Sequence, residues 1–364
     1  MRNSSKQTGS VIIIVLWTSV LLTVLVAAMA SKVRLSAQTA AHNRDASQNW
    51  AQLMATVNFA EMELMLERMP APIDQQLEET EEGEILNPAY RYDGEALELH
   101  YEAPENMVVR IYDHAGKINL NRIPRRNMQL LIEKLLGSED ADPEEVQDLL
   151  AAWTDWTDLN DLEGLNGAEK DYYLELDQPY VPRNNPELDT VEEILHVRGF
   201  SELLDGINLD AAFTIYGNMR TVNLNVATRE AMRLLPGLDD ELIEGIIAFR
   251  EREDISNRAE IAEIVPFENL QELTQWLGTN TSNFYSIFVY PRQEFNGNVL
   301  TGHLPDFQQI DDDVTETEDR VRQAYMEIVE IRSSNALPRI YKVEPYGMLP
   351  DTAKARIEEY GIEL

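Results

Sequence analysis

Acidic and amide side chains cluster between residues 155 and 169 of the sequence. Those that could ligate a metal ion are Asp155, Asp158, Asn160, Asp161, Glu163 and Glu169. Hard divalent cations such as Ca²⁺ take about six to eight oxygen ligands, which closely spaced carboxylates and amides on a turning loop can supply. The spacing is not that of an EF-hand, which needs glycine at the sixth loop position and glutamate at the twelfth. A solvated acidic loop explains the same residues, so spacing alone leaves both interpretations open.

Other kinds of functional site lack a motif. The 5 histidines show no i,i+4 pair that would suggest zinc, and there is no cysteine. No glycine-rich phosphate loop and no Gly-x-Ser-x-Gly elbow is found. We therefore expect no enzymatic activity.

The net charge is −35, from 65 acidic and 30 basic residues. Such a field repels nucleic acids and anionic lipid headgroups.

The N-terminal 30 residues combine a basic leader with an apolar run. The leader ends at Gly9, and residues 11–30 carry no charge. About 20 apolar residues in a helix span the ~30 Å hydrocarbon core of a bilayer. A cleaved secretory signal, a plain anchor and a prepilin-type leader with its helix are three competing interpretations. Each one places the chain in or across a membrane.

The helical pattern continues beyond the apolar run. Residues 32–69 contain no glycine or proline, and Leu53, Val57, Ala60 and Leu64 fall on one helical face. Pro70 and Pro72 follow at the end of this pattern. We therefore predict one helix of about sixty residues, which a simple signal peptide would not need.

Segments with strand character lie towards both ends of the remaining chain. They are residues 96–101, 107–112, 284–290, 324–331 and 339–343. An acidic linker at residues 74–84 and a polar loop at residues 293–319 separate some of them. A largely helical segment, about 116–281, lies between the two groups. This order predicts one antiparallel sheet interrupted by an inserted helical domain.

The inserted segment contains a near-repeat. Ile-Asn-Leu-Asn at residues 118–121 returns as Val-Asn-Leu-Asn at residues 222–225, and helix-forming sequence follows each copy.

Residues 227–253 are similar to a helix-hairpin-helix module of DNA receptors. Its hairpin carries Asp239, Asp240 and Glu241, where a phosphate would meet like charges instead of donors. We expect structural reuse of the module and no nucleic-acid partner. The alternative is a membrane-tethered periplasmic DNA-binding protein.

Leader, helix and insertion together resemble the type IV pilins and pseudopilins, and specifically the minor pseudopilin K family of type II secretion systems. The resemblance implies cleavage between Gly9 and Ser10 by a prepilin peptidase, and N-methylation of Ser10. Most pilins have glutamate at the fifth mature position, where this chain has Ile14. The K family characteristically lacks that glutamate, so Ile14 marks a position at the tip of the filament.

The resemblance implies an α+β fold: a pilin-like long N-terminal helix on an antiparallel sheet, with a large inserted α-helical domain containing helix-hairpin-helix-like repeats. The expected organisation is leader 1–9, helix 10–69, first part of the sheet 70–115, insertion 116–281 and second part of the sheet 282–364. The acidic segment is similar to the family's pattern, which implies a structural Ca²⁺ ion, with Asn160 standing where aspartate is commoner.

The resemblance also implies a cellular role. The chain would be a single-pass inner-membrane protein with a periplasmic C-terminal domain. It would initiate and cap the secretion pseudopilus for export of folded proteins across the outer membrane. Expected partners are minor pseudopilins I and J, the prepilin peptidase and the inner-membrane secretion platform.

Overall fold

The computed structural model describes residues 10–69, 91–97, 99, 101, 104, 106–138, 141–183, 185–291 and 323–350. The chain divides into two compact units, Met1–Ala55 and Thr56–Leu364. The leader with Gly9, the predicted linker at residues 74–84 and the predicted loop at residues 293–319 lie outside the described residues.

Helix α1 runs from Ser10 to Glu67, 58 residues, close to the predicted length. Among the described residues, it is the helix long and apolar enough to cross a membrane. Its last turns belong to the second unit, where Val57, Ala60 and Leu64 are buried. These three residues were predicted to share one apolar face, and their burial confirms that face.

Strands and short helices follow α1. The helices are α2 (Arg125–Leu135), α3 (Pro143–Trp156), α4 (Lys170–Leu174), α5 (Phe200–Leu203), α6 (Leu209–Ala212), α7 (Arg229–Leu234), α8 (Asp240–Arg250), α9 (Arg258–Ile264) and α10 (Phe267–Leu273). The strands are β1 (Asp93–Ala96), β2 (Met107–Asp113), β3 (Ile118–Asn119), β4 (Phe213–Thr214), β5 (Val222–Asn223), β6 (Leu277–Gly278), β7 (Phe284–Pro291), β8 (Gln323–Glu330) and β9 (Arg339–Met348).

The main sheet has five strands in the order β1-β2-β7-β8-β9. Every neighbouring pair in it is antiparallel. Strands β2 and β7 are adjacent although the helical segment separates them in sequence, which confirms one sheet with an insertion. Strand β9 extends five residues beyond its predicted end at Val343, through Pro345. An edge strand tolerates proline because one side of it needs no ladder donors.

The prediction of a strand at residues 96–101 was wrong. Strand β1 instead covers Asp93–Ala96, and the pairing with β2 shifts register within it. Gly94 causes this irregularity: its φ is +96°, and a Cβ there would overlap the ring of Tyr112. One further backbone bond joins Leu97 N to Val109 O (2.9 Å), and Tyr101 is half exposed. The apolar alternation therefore extends past the point where the chain leaves the sheet.

Asp113 joins the two ends of the insertion. Its buried carboxylate accepts hydrogen bonds from the backbone N–H groups of Ala115 (2.8 Å) and Ser282 (3.1 Å). Burial raises the pKa of Asp113, and these backbone bonds oppose the rise. The chain thus enters the insertion and leaves it at the same place, directly beside the pairing of Asp113 with Tyr285.

The near-repeat has a structural counterpart. Each copy forms a two-residue parallel pairing, β3 with β4 and β5 with β6. In the first copy, the amide of Asn121 bonds both backbone groups of Leu188 (3.1 and 2.7 Å). In the second copy, Asn225 does the same with Ile255 (3.0 and 2.8 Å). The helices around both copies share one apolar core, whose buried members include Leu131, Trp153, Phe200, Ile246 and Trp276.

Candidate metal centre

The acidic loop begins where α3 ends. Asp142 caps the N-terminus of α3 by accepting a bond from Glu144 N (3.0 Å), and Pro143 follows in the first turn. At the other end, Trp153 and Trp156 are buried in the core, as expected for packing residues. This packing fixes the direction of Asp155, whose side chain is 4% exposed although it is charged.

Three carboxylates meet behind the loop. Asp155, Asp158 and Glu169 each offer an oxygen atom, and these atoms lie within 4.8 Å of one another. Both oxygens of Glu169 are buried, and among the described residues neither accepts a hydrogen bond of good geometry, although the backbone N–H of Lys170 opposes part of the rise in pKa. Burial, and then the charges of Asp155 and Asp158, raises the pKa of Glu169 to about 7. A buried carboxylate without donors is costly unless a cation or a proton compensates it.

Two glycines let the loop wrap closely around Asp155. The backbone N–H of Gly164 donates to Asp155 Oδ2 (3.0 Å), and a Cβ at Gly164 or Gly167 would overlap this carboxylate. Asn166 has a φ of +61°, which turns the chain between them. Arg198 holds the turn from outside by donating to the carbonyl oxygens of Gly167 (2.7 Å) and Asn166. Sequence reasoning missed Arg198, because nothing in the loop's own pattern indicates a distant arginine.

The other predicted ligands lie elsewhere on the loop. Asn160 uses its amide locally, donating to Asp158 Oδ2 (2.8 Å) and accepting from Leu162 N (2.9 Å). Asp161 and Glu163 are exposed and lie outside the group formed by the three carboxylates. The structure therefore brings together three of the predicted ligands and leaves the other three on the outer part of the loop.

The three carboxylates fit a hard divalent cation. Their charges repel one another at this separation, and the orphaned oxygens of Glu169 are acceptors without donors. Ca²⁺ binds such oxygens, and backbone carbonyls and water complete its shell. Asp155, Asp158 and Glu169 would hold the ion, which would then tie the end of α3 to the start of α4.

The predicted hairpin lies between α7 and α8, distant in sequence from this loop. Its turn contains Gly237, with φ +77°. Asp239 caps α8 by accepting a bond from Leu242 N (2.8 Å), and Asp240 pairs with Arg233 (3.1 Å). A carboxylate thus occupies the helix end where a phosphate would bind in a DNA receptor. This geometry favours the structural interpretation of the module.

A family comparison finds a match in the first part of the insertion. Residues 116–204, which contain the acidic loop, match the family model described as "Type II secretion system (T2SS), protein K". Residues 116–204 are a domain of the type II secretion system protein K family. The family resemblance seen in the sequence is therefore confirmed.

One solved structure is also similar in outline. It is the crystal structure of the GspK-GspI-GspJ complex from the type 2 secretion system of enterotoxigenic Escherichia coli. The two chains are 12% identical, with a TM-score of 0.48, and the match covers 83% of this chain and 98% of that chain. A comparison with curated protein sequences finds no match.

Proposed function

We propose that this chain is the minor pseudopilin K of a type II secretion system, and that it initiates and caps the pseudopilus. One observation carries the proposal: a protein K domain, residues 116–204, lies inside an antiparallel sheet that follows a 58-residue N-terminal helix. Neither a secreted enzyme nor a plain membrane anchor accounts for that combination.

The helix supports anchoring in the inner membrane. The first half of α1 exposes large apolar side chains such as Ile14, Trp17 and Leu21, which in water would be unfavourable over such an area. The leader before it is basic, and by the positive-inside rule this supports a cytoplasmic leader and a periplasmic location for the bulk of the protein. The prepilin peptidase would cut before Ser10, and the inner-membrane platform would extract the mature helix.

Position at the tip follows from Ile14 and from the insertion. An ionised glutamate within a membrane segment costs several kcal/mol unless a neighbouring subunit compensates it. A tip subunit has no neighbour above it, and Ile14 removes the need for one. The inserted domain adds bulk to the folded unit that carries the sheet, which would hinder addition of further subunits. Minor pseudopilins I and J are the proposed neighbours below.

The mature N-terminus tests this function most directly. Mass spectrometry of the chain expressed with its prepilin peptidase should find N-methylated Ser10. An N-terminus at Ser31 would indicate ordinary secretion, and an intact Met1 would indicate a plain anchor; either result refutes the proposal. A pull-down tests the assembly role. Minor pseudopilins I and J should co-purify with the chain, and they should no longer do so when α1 is replaced and residues 116–281 are kept.

Calcium is proposed as a structural ion at Asp155, Asp158 and Glu169. A ligand present at 100 times its Kd stabilises a protein by about 2.7 kcal/mol. Thermal melting in calcium and in chelator, at matched ionic strength, should therefore differ by several degrees. The Glu169→Gln variant should lose this difference, and Glu163→Gln, on the outer loop, should keep it. An identical midpoint with and without calcium in the unmodified chain would refute the site.

A further inference from the structure

A cavity of about 510 Å³ lies beside the first copy of the near-repeat, away from the acidic loop's carboxylates. It is formed by the chain between β3 and α2 and by the loop between β4 and β5. Its lining residues are Asn121, Arg122, Ile123, Pro124, Asn218 and Arg220. In a chain with net charge −35, this cavity has two arginines in its wall and no acidic residue.

Further arginines stand next to the cavity. Arg125 and Arg126 open α2 directly after Pro124, and both are exposed. Within the part of the chain that the structure describes, the guanidinium groups of Arg125, Arg126 and Arg220 form no hydrogen bond or ion pair. Several other arginines of this unit are paired with carboxylates, as in Arg183–Asp189, Arg229–Glu244, Arg250–Asp93 and Arg332–Glu330.

Unpaired arginines are unexpected where acidic residues outnumber basic ones two to one. A guanidinium presents a rigid fork of donors that matches the two oxygens of a carboxylate. Arg220 in the cavity wall, with Arg125 and Arg126 directly after the lining residue Pro124, creates a local positive potential within an otherwise negative field. That potential favours an anionic group from outside the chain.

Arg122 shows which anion the cavity wall accepts. Its guanidinium contacts Glu187 Oε1 at 2.7 Å and donates to Asn218 Oδ1 at 3.1 Å. The carboxylate of Glu187 is about half exposed, so it contacts Arg122 from the solvent side. A carboxylate from the chain itself thus already binds one arginine of the set, while Arg220 has none.

Helix α2 adds to the positive potential. Pro124 stands at its N-cap and offers no side-chain hydrogen bond, so the first N–H groups of the helix lack a side-chain acceptor. In the same first turn, the buried Nδ2 of Asn127 has no acceptor among the described residues. The N-terminus of α2 favours the same class of ligand as the arginines.

We propose that this cavity is a docking site for carboxylate side chains on a short acidic loop of a partner protein. The partner is a protein because Arg125 and Arg126 extend the positive surface beyond the cavity lining, farther than one small anion reaches. A nucleic acid is disfavoured because its phosphates would continue past the arginines into the negative field of the chain. The site is independent of the membrane helix and of the calcium loop, and goes beyond the function proposed above.

A fluorescence anisotropy titration tests the site on the full chain in uncharged detergent. The probe is a fluorescein-labelled twelve-residue peptide with four glutamates among glycine and serine. Arg220→Glu, and the double variant Arg125→Glu with Arg126→Glu, should each weaken binding about tenfold or more, because each removes a charge-assisted bond. Arg233→Glu is the matched control: it reverses an exposed arginine on α7 and should change affinity less than about twofold.

The salt dependence, the peptide sequence and two competing ligands distinguish the remaining outcomes of the titration. Binding that falls with added salt and is lost when glutamine replaces glutamate supports the site. The proposal is overturned if the peptide does not bind, or if Arg233→Glu weakens binding as much as Arg220→Glu does. It is also overturned if a single-stranded oligonucleotide binds more tightly than the peptide, or if inorganic phosphate binds where the peptide does not. Arg220→Gln, which adds no negative charge, provides a second variant should Arg220→Glu unfold.

Discussion

A pair of carboxyl groups between α1 and the sheet makes stability depend on pH. Glu61 of α1 faces Glu327 of β8, which is 3% exposed. The hydroxyl of Tyr325 donates to Glu327 Oε2 (3.0 Å). Glu327 Oε1 accepts no hydrogen bond among the described residues. A proton on Glu61 provides a hydrogen-bond donor to the carboxylate of Glu327. Burial, and then Glu327, raises the pKa of Glu61 from 4.5 to about 7.

The sign of the effect follows from this shift. Between pH 4.5 and about 7 the folded state holds a proton on Glu61 that the unfolded state releases. The free energy of unfolding therefore falls as pH rises through this window, and levels off above it. At 1.36 kcal/mol per pKa unit the shift sets an upper limit of about 3 kcal/mol. Because Glu61 is partly exposed, solvent screening reduces the expected loss to about 1–2 kcal/mol.

Glu61→Gln should remove this dependence. The glutamine amide donates to Glu327 at every pH, so the variant should be more stable than the unmodified chain above pH 7 by about 1–2 kcal/mol. The assay is thermal melting at pH 5.5, 7 and 8.5 at fixed ionic strength. A gain of about 2–5 °C is expected at pH 8.5. Glu263→Gln, an exposed residue of α9, is the control. An equal gain at pH 5.5 and pH 8.5, or none at either, would refute the reasoning.

Three further predictions concern the insertion and its junction with the sheet. Gly167→Ala should abolish calcium-dependent stabilisation, because its Cβ would overlap the Asp155 carboxylate; melting with and without chelator measures this. Arg250→Met should lower the free energy of unfolding in urea by roughly 3–5 kcal/mol, because it leaves Asp93 and the carbonyl oxygens of Leu224 and Ala227 without their partner. The exposed Arg252→Met is the control and should have little effect. Thr228→Ala should cost about 1–2 kcal/mol in the same assay, because it removes the N-cap of α7.

Local patterns in the sequence were enough to predict most elements of the fold. The long helix and its buried face with Val57 and Leu64 follow from spacing and from the absence of glycine and proline, and four of the five sheet strands follow from their apolar patterns. The strand at residues 96–101 was predicted wrongly, because the irregularity at Gly94 depends on its positive φ and on the ring of Tyr112, which is distant in sequence and leaves no room for a Cβ. Local periodicity does not contain that information.

The candidate site was predictable in composition and not in geometry. Six possible ligands followed from residue type, whereas the choice among them depends on which oxygens are buried. Glu169 lies close to Asp155 because the loop wraps around the Asp155 carboxylate. Arg198, from another segment, stabilises this loop by donating to the carbonyl oxygen of Gly167. The positively charged cavity was also missed, because the wall is assembled only in the folded chain: Arg122 and Arg220 are far apart in sequence and line one cavity.

The connection between β2 and β7 constrains the order in which this protein folds. Bringing together chain segments separated by roughly 170 residues costs about 4–5 kcal/mol of loop entropy if the intervening chain is unfolded. If the insertion folds first, the bonds from Asp113 to Ser282 already hold its two ends together, and the strands then meet at little further cost. The five-stranded sheet should therefore form last, so damage to the insertion would delay formation of the sheet.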